Sequence, residues 1–300
     1  MLRRRLAIAA LCLGLIGISP ALAAGKITVA FAGSMGVVMD RGIGPAFSAS
    51  SGTQVQGIGQ AAMGLAHLLA GKTLTADVFV SVAAAPIKVV EAAGLATSAI
   101  PVASTSIVLA YSPKSQFASA FAAAKGSDWT KILGTPGLRF GRTDPAVDPQ
   151  GQYVLYALQL AEIFYKLPGF AEKVAGAVEN PAEIFSEPSL LARLQDGEID
   201  ATLGYQSAVV SQHLPFTTLP PQVNFSTPSF KMYYKQASLT LTVKGETKTA
   251  HPSALVFYAT VLNNAANPQA AQAFVSFLNS PAGQKILQQY GYGPGVGKPI

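Results

Sequence analysis

Strand-length apolar runs alternate with helical patterns through the first third of the chain. Ile27-Thr28-Val29-Ala30-Phe31-Ala32 is a near-continuous apolar run of the kind that fills a parallel strand covered on both faces. Gly33-Ser34-Met35 turns it into a helical pattern reaching about Ser50. A second strand lies near 55–58, followed by a helix over 60–70. A third, Asp77-Val78-Phe79-Val80-Ser81-Val82, is followed by a helix over 86–93. This alternation predicts βαβ units and a parallel sheet.

The second part repeats the theme less regularly. Ser106-Ile107-Val108-Leu109-Ala110-Tyr111 reads as a strand, Ser127-Asp128 opens a short helix carrying Trp129, and 138–141 reads as a strand. Helices over 152–165 and 189–196 and a strand over 200–205 follow. Ser238 to Val243 is a strand with a turn at Lys244-Gly245. The end reads as helical over 253–263, 268–278 and 281–289. The expected architecture is α/β with two lobes. Residues 26–105 plus 240–300 form one lobe and 106–239 the other, with two crossings that permit hinge closure on a ligand.

Between the strand at 138–141 and the helix at 152–165 runs Thr143-Asp144-Pro145-Ala146-Val147-Asp148-Pro149-Gln150-Gly151-Gln152-Tyr153. Its two X-Pro steps hold the backbone extended before the helix begins. Gly151 permits a tight turn and close approach of a ligand. The first amides of the helix lack internal partners and sit at the positive end of its dipole, a place suited to a small anion.

Composition adds an address. Arg3, Arg4 and Arg5, the apolar run 6–18 and Ala21-Leu22-Ala23 form a secretory signal, with cleavage expected near Ala23 and a periplasmic destination. The one cysteine, Cys12, lies within this leader and follows Leu11, which argues against a lipid anchor. Cleavage leaves a chain with no thiol, so zinc–cysteine sites and cysteine nucleophiles are excluded. Beyond the leader no stretch is long and apolar enough to span a bilayer. Of the net charge of +6, three charges belong to the leader arginines; the remainder carries 18 basic against 15 acidic residues. Basic clusters with interleaved aromatics are missing, which argues against nucleic acid. His67, His213 and His251 are isolated and show no metal spacing. No nucleophile elbow, phosphate loop or dinucleotide fingerprint occurs, and Ser34 has no evident base. A binding protein without a cofactor is the expectation, not an enzyme.

Several short stretches, in their order and spacing, resemble one family. They are Phe31-Ala32-Gly33-Ser34-Met35, Ala76-Asp77-Val78 with Ser81, Trp129 to Leu133, and Phe140 to Gly151. They continue with Leu158 to Tyr165, Gly197 to Asp200, Gly204-Tyr205-Gln206-Ser207-Ala208, His213 with 219–226, and Ser280-Pro281-Ala282-Gly283-Gln284. Together the chain is similar to the periplasmic molybdate/tungstate-binding proteins, especially their tungstate-binding branch, with the type II solute-binding fold. The resemblance implies capture of a tetrahedral oxyanion between the lobes and delivery to an ABC-type permease by a monomer. It implies ligand contact by Ser34, Asp148 and Tyr205, with no metal beyond the oxyanion itself, which Asp148 would then flank.

Two positions depart from that branch. Gly204 stands where the branch has a second metal-contacting carboxylate, and Gly59-Gln60 where it has a Gly-Ser pair. The expected site is therefore built from neutral donors: Ser34 and Gln60 on one lobe, amides near Gly151 and the Tyr205 region on the other. Asp148 beside a dianion would be protonated or turned away to cap its helix. Arg142, just before the loop, would also suit an anion. Plainer roles stand beside these: caps for Ser34, Gln60 and Asp148, core packing for Tyr205, and surface exposure for Arg142, while Trp129 at its helix start reads as packing. Ser81 and Ser207, at strand ends, are weaker candidates. The alternatives are a binding protein for sulfate, phosphate or an organic acid, or a surface or adhesion protein without a transport role.

Overall fold

The computed structural model describes residues 25–146, 148–243 and 246–300, so the leader and the turn at Lys244-Gly245 lie outside the described residues. In chain order the strands are β1 (Lys26–Ala32), β2 (Gln54–Gln60), β3 (Val78–Val82), β4 (Ile100–Ser104), β5 (Ile107–Tyr111) and β6 (Ala201–Tyr205). They continue with β7 (Phe216–Thr218), β8 (Leu239–Val243), β9 (Glu246–Ala250), β10 (Val256–Val261) and β11 (Gly293–Pro294). A six-stranded sheet has the order β11-β4-β10-β3-β1-β2, and a three-stranded sheet the order β6-β5-β7. These are the cores of two lobes of an α/β fold.

β1 shows why the first sheet is buried on both faces. Ile27, Val29 and Phe31 point into a core shared with the helix Pro268–Leu278, while Ala30 points into another with the helices Ala62–Ala70 and Ala85–Ala92. Alternate residues of one strand thus face opposite layers, and the run reads as continuously apolar. Each fully buried Val, Ile or Phe contributes roughly 1.5–3 kcal/mol relative to exposure. Asp77 joins the layers: one carboxylate oxygen accepts from Thr28 N–H at 2.7 Å, the other from Asn267 N–H at 2.9 Å. In the second lobe, Val154, Ala157, Leu158 and Ala161 of the helix Pro149–Tyr165 pack on Leu109, Ala201 and Leu203.

Three expectations change. Residues 253–263 do not form a helix; β10 lies there, between β3 and β4 and antiparallel to both. Its apolar run fits a buried helix or a buried strand equally by pattern, and its short length with Val, Phe and Tyr decides for the strand. The first sheet is consequently mixed: β1 pairs in parallel with β2 and β3, but β10 and β11 run the other way. Residues 138–141 make only an isolated bridge, Phe140 to Ala201. Arg139 pins this segment, its guanidinium donating to both oxygens of Asp200 at 2.9 Å. Burial would push the Asp200 carboxyl up, yet hydrogen bonds from Arg139 and Ser115 hold it below its usual value.

The expected boundary near 240 also shifts. The hairpin of β8 and β9 lies against the second lobe: Leu239 enters its core, Tyr156 Oη donates to Ala250 O and Gln159 Nε2 to Ser238 O. The chain returns to the first sheet through 251–255, beside the outward passage at 105–106. Thr105 N–H donates to Leu255 O at 3.0 Å, joining the two crossings.

Glycine is required where the helix Pro149–Tyr165 begins. A Cβ on Gly151 would overlap Thr143 O and come within 2.8 Å of Pro145 N. Gly151→Ala is expected to cost about 1–3 kcal/mol in urea unfolding, because backbone rather than a movable side chain stands in the way. Gly64, in an open helical position, is the control: Gly64→Ala should gain about 0.5–1 kcal/mol. Equal midpoints for Gly151→Ala and the parent would show that the loop can move aside.

Candidate functional site

The expected site residues fall into two clusters, one on each lobe. Ser34 and Gln60 sit together at the carboxyl ends of β1 and β2. Ala32 is in register with Gln60, and Gly33 packs directly on the Gln60 backbone. β2 and β3 flank β1 on opposite sides, so the chain diverges at this end of the sheet, where open α/β folds leave a crevice. The 3-10 turn Gly33–Met35 has no side-chain cap, so Ser34 is not the cap its position allows. Its carbonyl accepts from Tyr292 Oη at 2.8 Å, while its half-buried hydroxyl makes no hydrogen bond among the described residues. Gln60 is exposed.

The second cluster surrounds the start of the helix Pro149–Tyr165 and the end of β6. Asp148 is the N-cap, its Oδ1 accepting from Gln150 N–H at 2.8 Å. Tyr205 is buried at the end of β6, its ring 6.4 Å from that of Tyr153, and its N–H donates to Gln150 Oε1 at 3.2 Å. Gln150 thus links Asp148 to Tyr205. Gly151 is buried against the loop, so its missing side chain serves packing. Burial raises the Asp148 carboxyl above its usual value, and the Gln150 N–H works against that shift.

The weaker candidates take structural places. The Ser81 hydroxyl donates to Val82 O and Ala83 O. Ser207 N–H donates to Thr105 Oγ1 beside the crossings. Arg142 is not a surface residue: it is fully buried and donates to Ala177 O and Val178 O. Burial lowers its pKa, with Glu183 and Asp144 opposing. Trp129 packs edge-on against Tyr165 and Phe170. His251 Nδ1 bonds Ala237 O. Among the described residues, no three His, Cys, Asp or Glu side chains are grouped to hold a metal.

Gln150 was not evident from sequence. The one signal was a long polar side chain between Pro149 and Gly151 at a helix start; its partner is 55 residues away.

Two lobes on a mixed and an antiparallel sheet, crossed twice by the chain, with polar clusters at the strand ends, define a type II periplasmic-binding-protein fold. The model of the bacterial extracellular solute-binding protein family matches residues 27–293, and the chain belongs to that family. Its relatives and fold neighbours are binding proteins rather than enzymes. The chain is 30% identical over 207 residues to the molybdate/tungstate-binding protein WtpA of Pyrococcus abyssi, covering 62% of this chain and 59% of that one. It is 30% identical over 272 residues to an uncharacterized solute-binding protein of Saccharolobus solfataricus, covering 84% and 67%. The chain spans about three fifths of the length of the first curated relatives it matches, 61% for the solute-binding protein of Petrotoga mobilis. Among solved structures, the periplasmic molybdate-binding protein of Azotobacter vinelandii is similar with a TM-score of 0.58 at 16% identity, covering 89% and 98%. The sulfate-binding protein SubI of Mycobacterium tuberculosis has a TM-score of 0.57 at 17% identity, covering 90% and 87%.

The raised Asp148 carboxyl has a consequence for stability. An acid whose folded value lies above its unfolded one keeps its proton better when folded, so stability falls as pH rises from the unfolded value through the folded one. Asparagine retains the capping oxygen without the charge. Asp148→Asn should melt at or above the parent temperature at pH 7, the gap closing as pH falls toward about 4. A lower melting temperature at pH 7 would show that the charge at the helix start outweighs its burial.

Proposed function

We propose that this chain is the extracytoplasmic binding component of an ABC-type importer and captures a small oxyanion, tungstate or molybdate first. Ser34 and Gln60 would hold the anion from one lobe, and the Asp148, Gly151 and Tyr205 region from the other. The observation that carries the proposal is the half-buried Ser34 hydroxyl, which neither caps its turn nor bonds another described residue. A donor held at a strand end without a protein partner is suited to a ligand oxygen. The names of the Pyrococcus relative and of the Azotobacter fold neighbour supply the anion. Asp148, engaged as a cap, adds no outward carboxylate if it keeps that role. The permease partnership, monomeric state and periplasmic location belong to the same proposal.

A second reading keeps the cleft and changes the anion. Gly204 leaves space beside the second cluster, and the sulfate-binding neighbour shares the fold. Sulfate, phosphate and small organic acids therefore join the test. Thermal unfolding with each anion decides, since a ligand at 100 times its Kd adds about 2.7 kcal/mol. A shift with tungstate or molybdate supports the first reading, and a shift with another anion alone reassigns the ligand. No shift with any of them moves weight to a surface protein without a transport role. Ser34→Ala should weaken binding of the active anion by about 1–3 kcal/mol by calorimetry. Unchanged affinity would remove Ser34 from the site.

A further inference from the structure

Gln150 is 3% exposed, yet only one end of its amide is engaged. Oε1 accepts from Tyr205 N–H at 3.2 Å. That contact fixes the amide's orientation, because a backbone N–H only donates and would be unpartnered against an NH2 group. Nε2 must then be the opposite end. It makes no hydrogen bond among the described residues and lies 3.9 Å from the point a Cβ on residue 204 would occupy. Residue 204 is glycine, so nothing from the strand fills that space. Next to it is the start of a helix 17 residues long, whose dipole favours negative charge. Nε2 is not one of the buried atoms left without a partner, so the free end of this otherwise buried side chain reaches solvent, where a ligand acceptor can meet it.

We infer that Gln150 is a ligand-contacting, specificity-determining residue whose Nε2 donates to an oxygen of the bound anion in the space left by Gly204. The inference rests on the proposed oxyanion site and deepens it. Tyr205 contributes its N–H indirectly, by aiming the amide. A donor fixed in this way rewards an anion oxygen that carries no proton, as every oxygen of molybdate, tungstate and sulfate does at neutral pH. Gln150→Glu preserves shape and keeps an acceptor for Tyr205 N–H, but turns the free end into a charged acceptor. Gln150→Met removes both functions at similar size.

The two variants separate ligand contact from mere support of Tyr205. Calorimetry with molybdate, tungstate and sulfate on the exported-form protein should show affinity for the active anion falling ~10–100-fold in Gln150→Met. The loss should be larger in Gln150→Glu, where repulsion adds to the missing donor. If Gln150 only braces Tyr205, Gln150→Glu binds as the parent does, and the inference is overturned. A measurement on the parent protein guards against variants that fail to fold: the Gln150 side-chain amide proton resonances should shift on saturation with the active anion. Binding by the parent with those resonances unmoved overturns the role of Gln150 alone. A parent that binds none of the three anions overturns the tetrahedral-oxyanion reading and this inference with it.

Discussion

Backbone lies against backbone where the helix Pro149–Tyr165 meets the loop before it, and the second cluster depends on that approach. With no side chain at 151, the first turn settles onto Thr143 and Pro145. Gln152 Nε2 then reaches Pro145 O at 2.9 Å, Asp148 accepts from Gln150 N–H, and Gln150 comes within reach of Tyr205 N–H. A helix held even one side chain further out would leave Gln150 short of β6. Close packing of this kind moves little, which is how a hydrogen-bond donor is kept aimed at one point.

The charges nearby have structural employment. The Arg142 guanidinium, which the sequence offers as an anion partner, is sealed in the second lobe, its Nη2 donating to Ala177 O and Val178 O. Arg139 is committed to Asp200, and Asp148 to its own helix. Arg142 Nε and Nη1 lack hydrogen-bond partners but are buried in the lobe, which leaves two neutral donors at the clusters, the Ser34 hydroxyl and the Gln150 amide. Directed neutral donors can replace an anion's water shell without the desolvation penalty of burying a countercharge. They also discriminate by geometry, since each donor serves one oxygen in one direction.

Much of the fold was legible because local signals and burial agreed. β1 and β3 read as apolar runs since both faces of the first sheet are covered, and the apolar spacing over 152–165 announced the body of the helix Pro149–Tyr165, though not its start three residues earlier. β10 was not legible, because its run of apolar residues carries no periodicity once both faces are buried. Strand direction was equally hidden: whether β10 runs with or against β3 is set by the path of the whole chain. At the candidate site, Ser34 was suggested by its strand-to-helix turn, while Gln60, at the end of β2, was suggested by the family resemblance rather than by a local signal. Gln150 was suggested by neither, since its meaning depends on a backbone N–H in β6 brought close only by the finished fold. Arg142 misled for the same reason: nothing local says that 177–178 will close over it.

The bond between Thr105 N–H and Leu255 O has a mechanical consequence. Two passages tied side by side form a short ribbon, which bends across its flat face more easily than it bends edgewise or lets its strands slide past each other. A closure of the lobes would then turn about one axis, as the jaws of a caliper do, and bring their clusters together along a fixed arc. Such a device would convert ligand size into closure angle. A ligand slightly too large would hold the jaws apart by an amount multiplied by distance from the ribbon, and a surface that reads the closed shape of both lobes would detect that difference without touching the ligand.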